Sequence, residues 1–501
     1  RRQRQMCIRD SSYTRLLKEN LNIQVVYDWT ASTSDYDEKM SLCIGSNTIP
    51  EIMNVNATQY RALLKYDMIQ PLDKYFDDYA SDALKSYVKS GGEELQKCIT
   101  NEDGELMAIP APNLTAGGVN EMWIRQDWLD ALGLDVPRTW DELAEVAKAF
   151  VTRDPDGNGE NDTIGILGPG NSDHMNAVGG NQFGLDPLFS CFQSYPQYWL
   201  KSEDGSVEYG SIQPETKTAL ENISKLYADG VIDPETLVRS DSKEPLLAGK
   251  VGIFFGPWWC AYTFADTTLS GSADWRAYFT PLSEDGKYYT HMAEPTTQYV
   301  VASKDCKNPE AAFKIINYIV ANEQKWVEEG VTSTEMGTGD FYPLYNTYDN
   351  ADEIEKSYEA LTKYLAGDIS MDDVDFSTHK LLKNDMEAVT KLKKKPYDDF
   401  SLKYWNLDSD LAKTNLPRLV AIMVGDAPLV NEEYVPVYNA YNGQTETMEA
   451  KWANLKKMEE ETFAKIIMGK ADISEFDTFV KNWKNQGGDQ ILKEINDELS
   501  K

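Results

Sequence analysis

Apolar positions recur along this chain with two periods. Trp140, Leu143, Ala144, Ala147 and Phe150 fall at helical spacing and make one stripe. Thr139 and Glu142 stand at the start of that stripe in the T-x-x-E arrangement of a capping box. Just upstream, Trp128, Leu129 and Leu132 share a face, and Gly133 suits a left-handed helix stop. A further helix is predicted with Pro214 in its first turn, Leu220, Ile223, Leu226 and Tyr227 on its face, and Gly230 at its end. Asn308 and Pro309 cap another apolar face in "NPEAAFKIINYIV". Ser12 to Asn20 reads as the tail of a helix. Near the other end, Trp452, Leu455, Phe463 and Ile466 lie on one helix, and Phe476, Phe479, Val480 and Trp483 on the next.

Short apolar runs bounded by Gly, Pro and Asn predict strands between these helices. They are Asn22 to Trp29, Glu51 to Asn56, Gly104 to Pro110 (ended by the proline), Glu121 to Arg125, Val251 to Phe255 and Thr296 to Ser303. Strands alternating with helices, followed by a helical tail, indicate α/β lobes. At 501 residues two or more lobes are expected. No internal repeat interrupts the pattern. "LVAIMV", Leu419 to Val424, is too short to span a bilayer and belongs in a core.

Composition narrows the function. An apolar fraction of 41% with 12 Trp, 28 Tyr and 16 Phe fits a packed globular protein. The 82 acids outnumber 49 basic residues, for a net charge of −33. Such a surface repels phosphate backbones and anionic lipid, so nucleic acid is excluded as a partner and no polybasic membrane binding is expected. Six cysteines, at 7, 43, 98, 191, 260 and 306, show no zinc spacing and are read as small buried hydrophobes, with a disulfide left open. The opening "RRQRQMCIRDS" has no initiator Met and no apolar core of a signal peptide. It is read as a sequencing artefact through about Asp10, with the true start missing.

The densest chemical signal is "VTRDPDGNGENDTIGI". In an EF-type calcium loop, oxygen ligands fall at positions 1, 3, 5, 7 and 9, with Gly at 6. Here these are Asp154, Asp156, Asn158, the carbonyl of Glu160, Asp162 and Gly159. Position 12 is Gly165 instead of a bidentate Glu, so Thr163 or water completes the shell. The alternative is an Asx-rich turn without metal. One such loop in a long chain has no paired partner, so calcium is read as structural.

Recognition chemistry points elsewhere. "FGPWWCAY" places Trp258 and Trp259 directly after a buried strand, where open α/β folds bind ligands. Aromatic faces match the C–H face of a sugar, and neighbouring carboxylates and amides hold hydroxyls. "SCFQSYPQYWL" adds Tyr198 and Trp199, and "HMAEPTT" adds Glu294. Against this stands packing, the commoner use of any one Trp. No nucleophile elbow, zinc-protease or phosphate-loop motif is present, and with so many acids a glycosidase dyad drawn from them is uninformative.

Taken in order, "DGELMAIP", "IRQDWLDALGLDVPRTWDEL", "DPDGNGENDTIGI", "PETKTALENISKLYADGVIDPE", "LLAGKVGIFFGPWW", "NPEAAFKIINYI" and "FVKNWKNQGGDQILKEIND" resemble the extracellular solute-binding proteins of ABC importers, family 1. The resemblance runs from about Leu21 to the end. It is strongest to the large carbohydrate-binding branch with the alginate-oligosaccharide-binding proteins and Gram-positive lipoproteins. It implies a two-lobed α/β fold of the type II periplasmic-binding-protein class, with an inter-lobe cleft and a helical C-terminal region. One lobe is expected from 1–110 with 296–345, the other from 111–295 with 346–501. The resemblance further implies a calcium site at Asp154, Asp156, Asn158, Glu160 and Asp162; where this chain has Thr163, some members of the family have Glu. It also implies a carbohydrate ligand near Trp258, Trp259, Trp199, Tyr198 and Glu294, and ABC permease subunits as partners. The protein is expected to be a monomer, exported and lipid-anchored (or periplasmic), and not an enzyme. The rival expectations are a secreted glycosidase and a receptor feeding a sensor kinase.

Overall fold

The structure, a computed structural model, describes residues 12–170, 181–328, 344, 346, 348–376, 379 and 381–500. The expected artefact over residues 1–10 lies outside them. Strands are β1 (Ile52–Asn56), β2 (Ile109–Pro112), β3 (Glu121–Arg125), β4 (Ile164–Ile166), β5 (Trp199–Lys201), β6 (Val207–Tyr209), β7 (Val251–Gly256), β8 (Trp275–Tyr278), β9 (Tyr289–His291), β10 (Thr296–Ala302) and β11 (Val435–Val437). The chain divides into two compact units. Unit 1 takes Arg1–Thr115, Pro295–Glu353 and Asp375–Lys380; unit 2 takes Ala116–Glu294, Ile354–Val374 and Leu381–Lys501.

Unit 1 is built on a sheet of order β1-β10-β2, antiparallel throughout. Alternation sets its faces: Met53 and Val55 are buried, while Ile52, Asn54 and Asn56 are half-buried. Tyr60 stacks on Tyr299 with centroids 4.4 Å apart. Leu63, Leu84, Leu95, Ile99, Ile109 and Phe313 join the same core. Asn56 both ends β1 and caps the helix Ala57–Lys65, in a capping box with Gln59. β2 departs from expectation. Pro110 does not end the strand but lies within it, opposite Tyr299, and Leu106 makes only a bridge to Thr100. An edge strand has one side without a ladder, which is where proline is tolerated. The expected strand Asn22 to Trp29 is not formed. Asn22 turns left-handed (φ 55°) after the helix Ser12–Leu21, and Ile23 and Val25 pack singly against Tyr13, Leu17, Ile315 and Ile319.

Unit 2 carries a sheet of order β4-β7-β3-β8. β7 is buried at every position, parallel to β4 and antiparallel to β3. The predicted helix Trp140–Thr152 forms with its capping box from Thr139 and Glu142. Its Phe150 meets Trp128 edge-on at 5.3 Å. A Cβ at Gly252 would lie 2.2 Å from the Phe150 ring, so only glycine lets helix and strand approach this closely. The run Leu419 to Val424 is buried, as expected, in a helix that continues into a π-turn over Ala421–Gly425. The tail helices Glu446–Ile467, Glu475–Trp483 and Asp489–Leu499 complete this core: Tyr209 stacks on Trp483 at 4.8 Å, and Trp199 on Trp452 at 5.5 Å. Among the described residues, the cysteines at 43, 98, 191, 260 and 306 are not joined in disulfides.

One acid sits inside that core. Glu459 accepts hydrogen bonds from the Tyr209 and Ser211 hydroxyls, both at 2.8 Å. Burial pushes its carboxyl up to about 7, against the lowering effect of those two donors. An unfolded glutamate titrates near about 4.3. Below that value both states hold the proton. Between it and about 7 the unfolded chain ionises first, so stability falls as pH rises through this window and levels off above it. Glu459→Gln should therefore raise the urea midpoint at pH 8 and leave it near wild type at pH 4.

Candidate functional site

In unit 1 the carboxyl ends of β1 and β2 and the start of β10 share one end of the sheet. Between Thr296 and Tyr299 the β10 register slips: three steps along β10 face two along β2, from Pro112 to Pro110. This bulge takes Gln298 out of the β2 ladder, the kind of irregularity that re-aims a side chain. Gln298 is exposed there, beside a cavity of about 240 Å³ lined by Ala111, Pro112, Asn113, Leu114, Gln298 and Asn346. Asn346 is fixed by Asn54, whose amide nitrogen donates to Asn346 Oδ1 at 2.8 Å. Behind Asn54, the Tyr36 hydroxyl donates to its backbone carbonyl at 2.7 Å, and Tyr36 packs on Trp29 at 5.3 Å. The cavity thus offers three amides over an apolar floor.

In unit 2, β7 ends in Gly256 and Pro257, and the chain turns through the 3₁₀ segment Trp258–Tyr262. A Cβ at Gly256 would meet the Cys260 sulfur at 2.6 Å, and one at Gly425 the Trp258 carbonyl at 2.7 Å, so two glycines admit this turn. Trp258 is 5% exposed and its indole N–H has no hydrogen-bond partner; Trp259 is half-buried. Glu121, opposite Gly256 in the ladder, is fully buried with both carboxyl oxygens unpartnered, as is Asp426 beside Gly425. Burial raises both acids, with Asp426 adding to Glu121 and Glu355 to Asp426, which is pushed up to about 9. Burial thus disfavours the charged form of both. Glu294 is half-buried at the end of the first segment of unit 2.

Trp199 and Tyr198 are not placed with these residues. Trp199 is a core ring between Tyr209 and Trp452, and the Tyr198 hydroxyl donates to the Met292 carbonyl at 2.7 Å while its ring meets His291 edge-on. Both serve packing within unit 2. His291 is itself fully buried, and burial lowers it to about 3, so it is neutral at ordinary pH.

The acidic loop follows the helix Trp140–Thr152 and turns at Asp154, Gly157 and Gly159, all with positive φ. The Asp154 carboxylate accepts from the backbone N–H of Asn158 and Gly159 at 3.1 Å each. The Asn158 amide reaches Asp156 at 2.9 Å and Asp162 at 3.3 Å. Lys250 pairs with Asp162 at 2.9 Å and holds its carboxyl below the usual range. Burial, then the Asp154 and Asp162 charges, raise Asp156. The Thr163 hydroxyl donates to the Phe150 carbonyl at 2.7 Å, turned into the helix end. Among the described residues no three His, Cys, Asp or Glu side chains come together as a metal centre. The Asn158 amide thus meets two carboxylates, Asp156 and Asp162, and the Lys250 ammonium meets the second of them.

Against this geometry the comparisons are decisive for the family. The model of the bacterial extracellular solute-binding proteins matches residues 10–326. The chain belongs to that family. FusA of Streptococcus pneumoniae, a fructooligosaccharide ABC transporter substrate-binding protein, is 30% identical over 246 residues, 46% of this chain and 43% of FusA. The chain thus spans less than half the length of that relative. YtcQ of Bacillus subtilis, a polygalacturonan/rhamnogalacturonan-binding protein, is 24% identical over 91% of this chain and 82% of its own. Among solved structures, an HMO-binding, ABC-transporter-associated solute-binding protein of Bifidobacterium longum infantis superposes with TM-score 0.60 at 17% identity, covering 97% of this chain and 94% of that one. The FusA EF-hand mutant bound to fructo-nystose gives 0.54 at 20% identity over 97% and 95%. At these identities the likeness speaks to the fold, which is the two-lobed type II class the sequence resemblance implied.

The amide cavity was missed from sequence. Asn54 and Asn56 at alternate positions of β1 were a visible signal, but the Asn54–Asn346 pair joins residues 292 apart. Glu121 and Asp426 were hidden among 82 acids. The division between packing and exposed tryptophans is testable by urea denaturation. Trp199→Ala should cost about 3–5 kcal/mol, whereas Trp259→Ala should stay within about 1 kcal/mol of wild type.

Proposed function

We propose that this protein is the extracellular substrate-binding component of an ABC importer, which captures a carbohydrate, in the first place an oligosaccharide, and delivers it to a membrane permease. The observation that carries this is the family match over residues 10–326, which runs through both units. The names of FusA and YtcQ point to carbohydrate as the solute class. Trp258, Trp259 and Glu294 are the ligand contacts in unit 2. The chain works outside the membrane under a lipid anchor, as a monomer, with the two units as its lobes, and it catalyses no reaction on the sugar. No helix among the described residues is long and apolar enough to cross a membrane. A thermal-shift screen over mono- and oligosaccharides tests this. At least one sugar should raise Tm in a concentration-dependent way, Trp259→Ala should weaken that response, and the sugar should be recovered unchanged. Recovery of cleaved sugar would favour a glycosidase instead.

The acidic loop is proposed to hold one structural calcium ion through Asp154, Asp156, Asn158, Asp162 and the Glu160 carbonyl, with Thr163 or water completing the shell. The donor set fits a hard cation: side-chain oxygens on alternate residues, with an amide and an ammonium now meeting the carboxylates that the ion would neutralise. The EF-hand named for FusA supports the same reading. With no bidentate glutamate at Gly165, affinity belongs in the weak extracellular class, about 10⁻⁴ M. Calcium at tenfold excess over Kd then stabilises the fold by about 1.4 kcal/mol. A chelator should lower Tm by about one or two degrees, and Asp156→Ala should abolish that dependence while sugar binding persists.

A further inference from the structure

We infer that the Asn158–Gly159 peptide is a self-modifying site, at which the folded loop drives loss of ammonia from Asn158 and leaves aspartate or isoaspartate in its place. This stands apart from the solute the protein carries and from the metal proposed for the loop. Both residues are exposed, and a Cβ built at Gly159 would have nothing within 4 Å, so there is room for a ring to close. Gly159 sits at φ 81°, in the left-handed region, and has no side chain to shield its nitrogen.

The hydrogen bonds sort these atoms into the parts of an acyl transfer. The nucleophile is the Gly159 backbone nitrogen. Its N–H donates to Asp154 Oδ2 at 3.1 Å, so a carboxylate already draws on the proton that must leave. The electrophile is Asn158 Cγ. Its oxygen, Oδ1, gains negative charge during attack, and it accepts from the Glu160 N–H at 2.6 Å. The leaving nitrogen, Nδ2, is held by Asp156 at 2.9 Å and Asp162 at 3.3 Å. The bond from Glu160 also closes a small ring that contains both Cγ and the Gly159 nitrogen, so the reacting atoms are kept together. The chain's second Asn–Gly is arranged differently. Asn442 and Gly443 are half-buried, Asn442 Oδ1 accepts from the Asn439 side chain at 2.8 Å, and a Cβ built at Gly443 would lie 2.3 Å from the Tyr441 ring.

The steps balance without an oxidant or cofactor. The Gly159 nitrogen bonds to Asn158 Cγ and gives its proton to Asp154. The Cγ–Nδ2 bond breaks, that proton passes through solvent to the departing nitrogen, and ammonia leaves behind a cyclic imide. Water then opens the imide at one carbonyl or the other. Opening to aspartate adds a carboxylate to the series Asp154, Asp156 and Asp162 at unchanged spacing. Opening to isoaspartate inserts a methylene into the main chain ahead of the Glu160 carbonyl.

The test is peptide mass spectrometry of the whole folded chain, incubated at neutral pH in chelator, with isoaspartate told from aspartate by fragmentation. Asn158 should convert about tenfold faster than in the same chain unfolded in urea, and faster than Asn442 in the same sample. Asp154→Asn should slow the conversion about tenfold. A purely structural Asp154 would give the opposite sign, because loosening the loop frees the asparagine. Conversion in the folded chain no faster than in the unfolded one, or no faster than at Asn442, would overturn the inference. So would an Asp154→Asn variant that converts at the wild-type rate or above it. The readout needs neither calcium nor sugar, so either result leaves both of those readings standing.

Discussion

The central place of β10 is the constraint on which unit 1 depends. β1 and β2 do not pair with each other; each pairs with Thr296–Ala302, which the chain supplies only after completing residues 116–294 of unit 2. Until that return, β1 and β2 are two edges without a ladder and Met53 and Val55 have no sheet to cover. The returning strand brings Tyr299 onto Tyr60 and Val300 into the core, so one segment supplies both the hydrogen bonds and the packing. Its contacts are long-range, and closing them early would cost loop entropy. Unit 2 in turn receives its tail helices only after that strand, so each unit is completed by a segment that returns to it late.

The same strand builds the candidate site. A perfect three-stranded ladder would keep Gln298 in register with β2. The single extra residue between Thr296 and Tyr299 breaks that register and leaves an amide beside Asn113 and Asn346. The edge prolines at 110 and 112 help, since β2 offers no backbone N–H at either position with which to re-form the ladder. Sheet pairing is given up at one end of the sheet, and hydrogen-bonding groups collect there as a result.

How far this was legible in the sequence depends on the range of each interaction. Signals confined to a few residues carried through: Thr139 and Glu142 cap their helix, Gly133 and Gly230 stop theirs at positive φ, and Glu121–Arg125 and Val251–Gly256 are strands. Apolar content without a partner did not. Asn22 to Trp29 has a strand's composition, yet no ladder receives it, and a strand is defined by its neighbour. Proline at 110 argued locally for an end, and edge placement overrode it. Trp199 and Trp259 look alike in sequence. Only the tail helix that brings Trp452 onto Trp199, about half the chain away, separates a core ring from one left partly exposed. The amide cavity failed for the same reason, because its pairing of Asn54 with Asn346 leaves no local trace.

Unit 2 shows how a strongly acidic chain accommodates acids in its interior. Glu121 and Asp426 sit fully buried around the Trp258 turn without a hydrogen-bond partner, an arrangement that would be prohibitive for two carboxylates. Burial and a neighbouring acid lift each of them, which favours the protonated form at this turn. Glu459 follows the same logic less strongly, because two hydroxyls donate to it and favour its ionised form. In unit 1 the described lining of the cavity consists of amides and apolar groups. A solute meeting that lining finds amide partners beside an apolar surface, a pairing suited to a polyhydroxylated molecule.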